Sequence, residues 1–200
     1  MLKTLEIMCR DKDFSEEQAA ALLKQTDLNQ VFVSSRLPNI PYESTLLNEA
    51  AESCNFRMVK LLLQHEADPN LVYAQGECVL WDRQYPPEPE DEETNLQIAQ
   101  LLLEYGANPN IMTEADPEDL FTYVAWSMFN DDPDDLWVYR GRFFVLLIAY
   151  GGSSCYARPE IVQPFDKTKM QNYHFHLVPE KDNTYSGIVV DEHRNPVAYL

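Results

Sequence analysis

Two histidines separated by one residue, His174 and His176, have the spacing in this chain closest to a metal site. On a strand both imidazoles point to one face, and Asp191 or His193 across a turn would add donors of the type zinc accepts. Two imidazoles alone are the ordinary furniture of a protein surface, so the expectation is histidine without metal. The run Asp131-Asp132-Pro133-Asp134-Asp135 lacks the alternating ligands and the glycine of a calcium loop. Cys9, Cys54, Cys78 and Cys155 are scattered and form no C-x-x-C pair, which argues against a thiolate metal site or a disulfide scaffold and for reduced, small apolar residues inside the fold. There is no G-x-S-x-G, no glycine-rich phosphate loop and no H-E-x-x-H, and six glycines in all leave little for a nucleotide cradle. The expectation is a non-enzyme with no cofactor and no resident metal.

Charge narrows the partners. In 200 residues, 33 acidic against 15 basic side chains give a net charge of −18, which excludes nucleic-acid backbone binding as the main work of the chain. Hydrophobic residues at 45% and aromatics at 12% are too many for a disordered chain, so the charge sits on something with a core. No apolar run reaches the roughly 18 residues of a membrane span, and the opening MLKTLEIMCRDKD has charges where a secretory signal would be apolar. A cytoplasmic monomer with no membrane association is expected.

The elements that position these residues repeat. Residues 45–70 read TLLNEAAESCNFRMVKLLLQHEADPN, residues 95–110 read NLQIAQLLLEYGANPN, and a more worn copy, FFVLLIAYGGSS, occupies 143–154. Leu47, Ala50 and Ala51 share one helical face, and Met58, Val59, Leu61, Leu62 and Leu63 form a stripe on a second helix. Pro69 stops the helical path. A helix pair of this kind cannot bury both its faces alone and must stack on its neighbours. The pattern resembles the ankyrin repeat, to which Thr45, Leu47, Ala50, Ala51, Val59, Leu61, Leu62, Leu63, Ala67, Asp68, Pro69 and Asn70 conform; Leu46, Asn48, Cys54 and Glu66 stand where the family has proline, histidine and two glycines. The resemblance extends to small ankyrin proteins of bacteria.

The resemblance implies an all-α repeat solenoid of helix-turn-helix-hairpin units over residues 1–154, about three to four in number. Asp68 to Asn108 is 108 − 68 = 40 residues and Gly106 to Gly151 is 151 − 106 = 45, so against a period of about 33 two units carry insertions, near 85–94 and 130–141. These are expected between the first and second helices of their units, and they hold nine acids: Glu88, Glu90, Asp91, Glu92, Glu93, Asp131, Asp132, Asp134 and Asp135. Such runs are either solvated loops or a lip for a basic partner. Trp137, Tyr139 and Arg140 either staple the second insertion onto the helices, the reading preferred, or form an aromatic patch beside its acids. Upstream, Ser15 and Gln18 form a capping box for a helix, a short helix is expected near 27–34, and residues 1–10 are read as a covering helix. Residues 155–200 are expected to form a β-rich cap, a hairpin or meander with strands at 173–178, 187–191 and 196–200.

By register, the resemblance places a protein-binding face on the hairpin tips and first helices: Tyr42, Ser44 and Glu52 from one unit, Gln75, Glu77 and Tyr85 from the next, and Glu114 and Trp126 from the last. Trp81 and Phe121, at the family's histidine position, are expected to pack in the core. A non-catalytic protein-interaction module is the leading expectation. One alternative is an acidic inhibitor or immunity-type protein that neutralises a basic toxin or nuclease, and the other is a C-terminal appendage that binds metal at His174 and His176 or is catalytic.

Overall fold

The computed structural model describes residues 1–36, 41–73, 77–112, 118–130, 136–155, 157–180 and 185–200. The chain divides into two compact units, one built on Met1–Asn108 and the other on Pro109–Met112 with Asp116–Leu200. About 47% is helical and about 16% is strand, so all-α describes the helix pairs but not the chain.

The first unit begins with α1 (Leu2–Arg10) and α2 (Glu16–Leu23). Ser15 caps α2, its hydroxyl accepting from the Gln18 amide at 3.4 Å, as the capping box predicts. The helix expected near 27–34 does not form. Phe32–Val33 is instead a short strand, β1, paired antiparallel with β2 (Glu43–Ser44). The sequence Thr26-Asp27-Leu28-Asn29 is a worn copy of Ala67-Asp68-Pro69-Asn70, and Asp27 accepts from the Asn29 amide (3.1 Å) as Asp68 does from Asn70 (2.8 Å). α1 and α2 are therefore a degenerate helix pair followed by the hairpin that enters the next unit.

α3 (Leu46–Glu52) and α4 (Phe56–Gln64) form that next pair. Thr45 caps α3 through the Asn48 amide (3.1 Å), and Asn55 caps α4 through Met58 (3.2 Å). Leu46, Leu47, Ala50, Ala51, Met58, Val59, Leu62 and Leu63 are buried, while Leu61 is partly exposed. The Asn55 amide group also donates to the carbonyls of Cys9 (3.1 Å) and Asp11 (3.0 Å), tying α1 to this turn. A second hairpin, β3 (Val72–Tyr73) with β4 (Glu77–Cys78), follows.

The first helix of the following pair shrinks to a four-residue 3₁₀ turn, Trp81–Gln84. Pro86 has no amide hydrogen to continue the ladder, and its ring forces Tyr85 into an extended conformation (φ −123°, ψ 115°). Arg83 is fully buried and occupies the interior beside this turn. Its guanidinium donates to the Ala51 carbonyl (3.0 Å) and the Asn95 side chain (2.6 Å), and pairs with Glu52. The insertion near 85–94 is not wholly a loop: α5 (Glu92–Glu104) starts inside it, with Glu92 and Glu93 in its first turn, where negative charge meets the positive end of the helix dipole.

In the second unit, α6 (Leu120–Asn130) packs on α7 (Trp137–Ala149), and the Phe121 and Phe144 rings lie 5.1 Å apart. Trp137, Tyr139 and Arg140 are not in a loop. They form the first turn of α7, with Tyr139 buried and Arg140 donating to the Ser127 hydroxyl at 2.8 Å. Residues 131–135 lie outside the described residues. The C-terminal segment forms an antiparallel sheet in the order β5 (Glu160–Ile161), β8 (Pro196–Tyr199), β7 (Tyr185–Val190), β6 (His174–Pro179). It is a three-stranded meander with β5 added at the edge. Phe175 of β6 packs edge-on against Phe129 and Phe144. Gly187 permits this approach, since a Cβ there would lie 2.7 Å from the Phe175 ring.

Three turns share one geometry. Glu66, Gly106 and Gly151 each follow a helix with positive φ (68°, 91° and 93°), and the next residue closes a six-residue bond back into the helix: Ala67 to Leu62, Ala107 to Leu102, Gly152 to Leu147. Asparagine side chains join successive copies within each unit: Asn29 accepts from the Asp68 amide (2.8 Å) and Asn70 from Asn108 (2.7 Å) in the first, and Asn110 from Ser153 (3.1 Å) in the second.

Candidate functional site

The first unit has an open hollow of about 370 Å³, lined by Tyr42, Glu52, Glu77, Asp82, Tyr85, Pro86 and Pro87. They come from four separate stretches of the chain. Tyr42 leads into β2, Glu52 ends α3, Glu77 starts β4, Asp82 lies on the 3₁₀ turn, and Tyr85 to Pro87 follow it. Tyr42 is half-buried and its hydroxyl accepts from Asn48 at 3.3 Å. Tyr85 is 47% exposed.

Three carboxylates share this space unequally. Glu52 is neutralised from both sides, with one oxygen 3.2 Å from Arg36 and the other paired with Arg83. Asp82 accepts a hydrogen bond from the Tyr73 hydroxyl behind it. Burial, with the like charges of Glu52 and Glu77, pushes the Asp82 carboxyl up to about 7 despite Arg83 and the Tyr73 bond. Burial and Glu52 also raise Glu77, and burial with the nearby acids raises the Tyr42 hydroxyl. Among the described residues neither Glu77 nor Asp82 forms a salt bridge. The arrangement is a set of oxygen acceptors between apolar walls. Its lining contains no histidine or cysteine and no nucleophile beside a base.

Of the residues placed on the face from sequence, Tyr42, Glu52, Glu77 and Tyr85 come together here. Ser44 does not lie on the surface: it is fully buried, its hydroxyl donating to the Thr45 carbonyl and accepting from Asn48, so it supports the hairpin from behind. Gln75 and Glu114 lie outside the described residues. Trp126 stands on α6 in the second unit, 48% exposed. Phe121 is fully buried, whereas Trp81 keeps part of its surface exposed. Sequence reasoning missed Asp82, Tyr73 and Arg83. The available signal was Pro86-Pro87, which ends the helix and turns Asp82 into the hollow's wall.

His174 and His176 are exposed on β6 with ring centroids 6.5 Å apart. Asp191 turns away to close its own loop, accepting from the amides of His193 (2.9 Å) and Asn195 (2.8 Å). Among the described residues no group of three or more His, Cys, Asp or Glu side chains is placed to hold a metal. Cys9, Cys54 and Cys78 are buried; Cys155 is exposed, contrary to the interior position expected for all four. Among the described residues no helix is long and apolar enough to cross a membrane.

Residues 42–71 match the family model of the ankyrin repeat, so one such repeat is present, spanning β2 to the start of β3. No curated protein matches the chain. Ankyrin repeats are generally protein–protein interaction modules.

Proposed function

We propose that this chain is a non-catalytic protein-interaction module that engages its partner with the hairpin and first-helix face of the first unit, centred on Tyr42, Glu52, Glu77 and Tyr85. The observation that carries this reading is the hollow itself: four residues spread over more than forty positions of sequence line one concave, partly aromatic surface. Exposed tyrosine beside partly buried polar groups is the composition that concentrates binding energy at interfaces. The acidic rim, and the net charge of −18, favour a basic partner whose encounter is speeded by electrostatic steering.

A photo-reactive residue in place of Tyr85, with a control at the exposed Lys60 on α4, tests the face. The expected result is one protein captured from position 85 and not from position 60, with capture weakening as salt rises from low to physiological strength. Equal capture from both positions, or none from position 85, would overturn the assignment.

A further inference from the structure

We propose that β6 is a self-pairing edge: two copies of the chain join antiparallel through His174–Pro179, about a two-fold axis at His176, and make one continuous sheet of their two four-stranded sheets. The inference is independent of the interaction face in the first unit, and it departs from the monomer expected from sequence.

The backbone shows which groups are open. Gly187 of β7 exchanges both of its backbone bonds with Leu200 (3.1 and 2.9 Å), so its N–H and C=O point away from β6. Its neighbours Ser186 and Ile188 therefore turn theirs toward β6, where they face Val178 and His176. By the same alternation the N–H and C=O groups of Phe175 and Leu177 point out of the sheet at its edge. β6 is the last strand in the order, and among the described residues nothing bonds to these groups. The opposite edge is managed differently. There β8 is covered by β5, a two-residue strand that carries Glu160, and the Val197 carbonyl accepts from the Val162 and Gln163 amides (2.9 and 3.3 Å). β6 is six residues long, with no acid, lysine or arginine and no bulge in its pairing with β7. Apart from Pro179 at its end, it lacks the devices that blunt an exposed edge.

A second copy matches this edge group for group. With His176 opposite His176 of the partner, Phe175 stands opposite Leu177 and Leu177 opposite Phe175. Each of those two pairs exchanges an N–H and a C=O in both directions, so every open group of Phe175 and Leu177 is satisfied. The side chains agree. Phe175 faces the helices, where it packs on Phe129 and Phe144, so the Phe175 and Leu177 pairs are apolar against apolar on that side. On the other side His174 meets Val178, and no Asp, Glu, Lys or Arg stands opposite its like. Charge also permits the contact here: residues 155–200 carry six acidic and five basic side chains, a net of −1 out of −18. Six residues a side make a small interface, so the association is reversible and depends on concentration.

The test is sedimentation velocity of the full chain at neutral pH over a range of concentrations. The expected result is a mass that rises from 23.2 kDa toward twice that value, with slower solvent exchange of the Phe175 and Leu177 amides as it rises. His176 is exposed, so His176→Lys and His176→Glu should keep the fold, which far-UV dichroism checks. Each variant sets like charges against one another at the axis and should weaken the dimer about fivefold, while an equimolar mixture of the two should restore it. The variants move net charge in opposite directions, so weakening in both is local to the axis. A monomer at every concentration, or amide exchange that ignores concentration, would overturn the proposal and leave the edge to a strand of another protein. Dimers undiminished in both variants, or a mixture no tighter than either alone, would place the contact elsewhere and overturn it too.

Discussion

Replacing Glu66 by glycine should stabilise this protein, although it deletes a whole side chain. Glu66 sits at the left-handed position after α4 with φ 68°, where Gly106 and Gly151 stand in the two later copies. A side chain there pushes Cβ against the following carbonyl at a cost of about 1–2 kcal/mol. Glycine gives back about 0.4–1 kcal/mol through its greater freedom in the unfolded chain. The Glu66 side chain is exposed and makes no hydrogen bond or ion pair among the described residues, so nothing else is lost. The difference is a gain of about 0.5–1 kcal/mol, or roughly 1–4 °C in Tm for a chain of this size. Gly106→Ala is the mirror experiment: no heavy atom lies within 4 Å of its added Cβ, so only the backbone conformation is charged, and a loss of about 0.5–1 kcal/mol is expected. Urea unfolding with an unchanged m-value reads both. A Glu66→Gly variant no more stable than its parent, beside a destabilised Gly106→Ala, would show that the two turns are not equivalent and would refute the shared geometry.

Arg83→Leu should cost about 3 kcal/mol in urea unfolding, because it strips donors from Ala51 and Asn95 and leaves Glu52 with one partner. Gly152→Ala should lose about 2–3 kcal/mol and alter near-UV dichroism, since its Cβ would fall 2.3 Å from the Phe121 ring and 2.9 Å from the Leu147 carbonyl. Asp82 binds its proton more tightly when folded than when unfolded, so its contribution to stability is full below about pH 4 and is lost as pH rises through about 7. Thermal unfolding across that window should show a smaller decline in Asp82→Asn than in the parent; an identical decline would remove Asp82 as the source. Tyr73→Phe removes a hydrogen bond to the carboxylate and should move the Asp82 midpoint further up, read by carboxyl carbon shifts.

The repeat was legible because it is written locally. Apolar residues at helical spacing, caps at Ser15 and Thr45, and the Asp-Pro-Asn ending each depend on residues within a few positions of one another. The degenerate first copy was harder to read: Leu28 replaces the proline, and its kinship shows in the Asp27 turn bond and in the bond that the Asp68 amide donates to the Asn29 side chain. Both insertions looked longer in sequence than they are, since acids or aromatics next to a proline read as loop. Glu92 and Glu93, and likewise Trp137 to Arg140, are in fact opening turns of helices, the first favoured by dipole and the second by burial.

Sequence by itself determined the helix pair and the caps of the repeat at 42–71 and where its later apolar stripes lie, because those signals are local. Only the tertiary structure decided what the face of the first unit is. Glu52, Glu77 and Asp82 are far apart in the chain, and a carboxylate's character depends on the charges and solvent within a few ångströms. Stacking brings them together, Arg36 and Arg83 neutralise one of them, and the 3₁₀ turn before Pro86 places Asp82 where burial holds its proton near neutrality. Spacing along a chain carries no record of that.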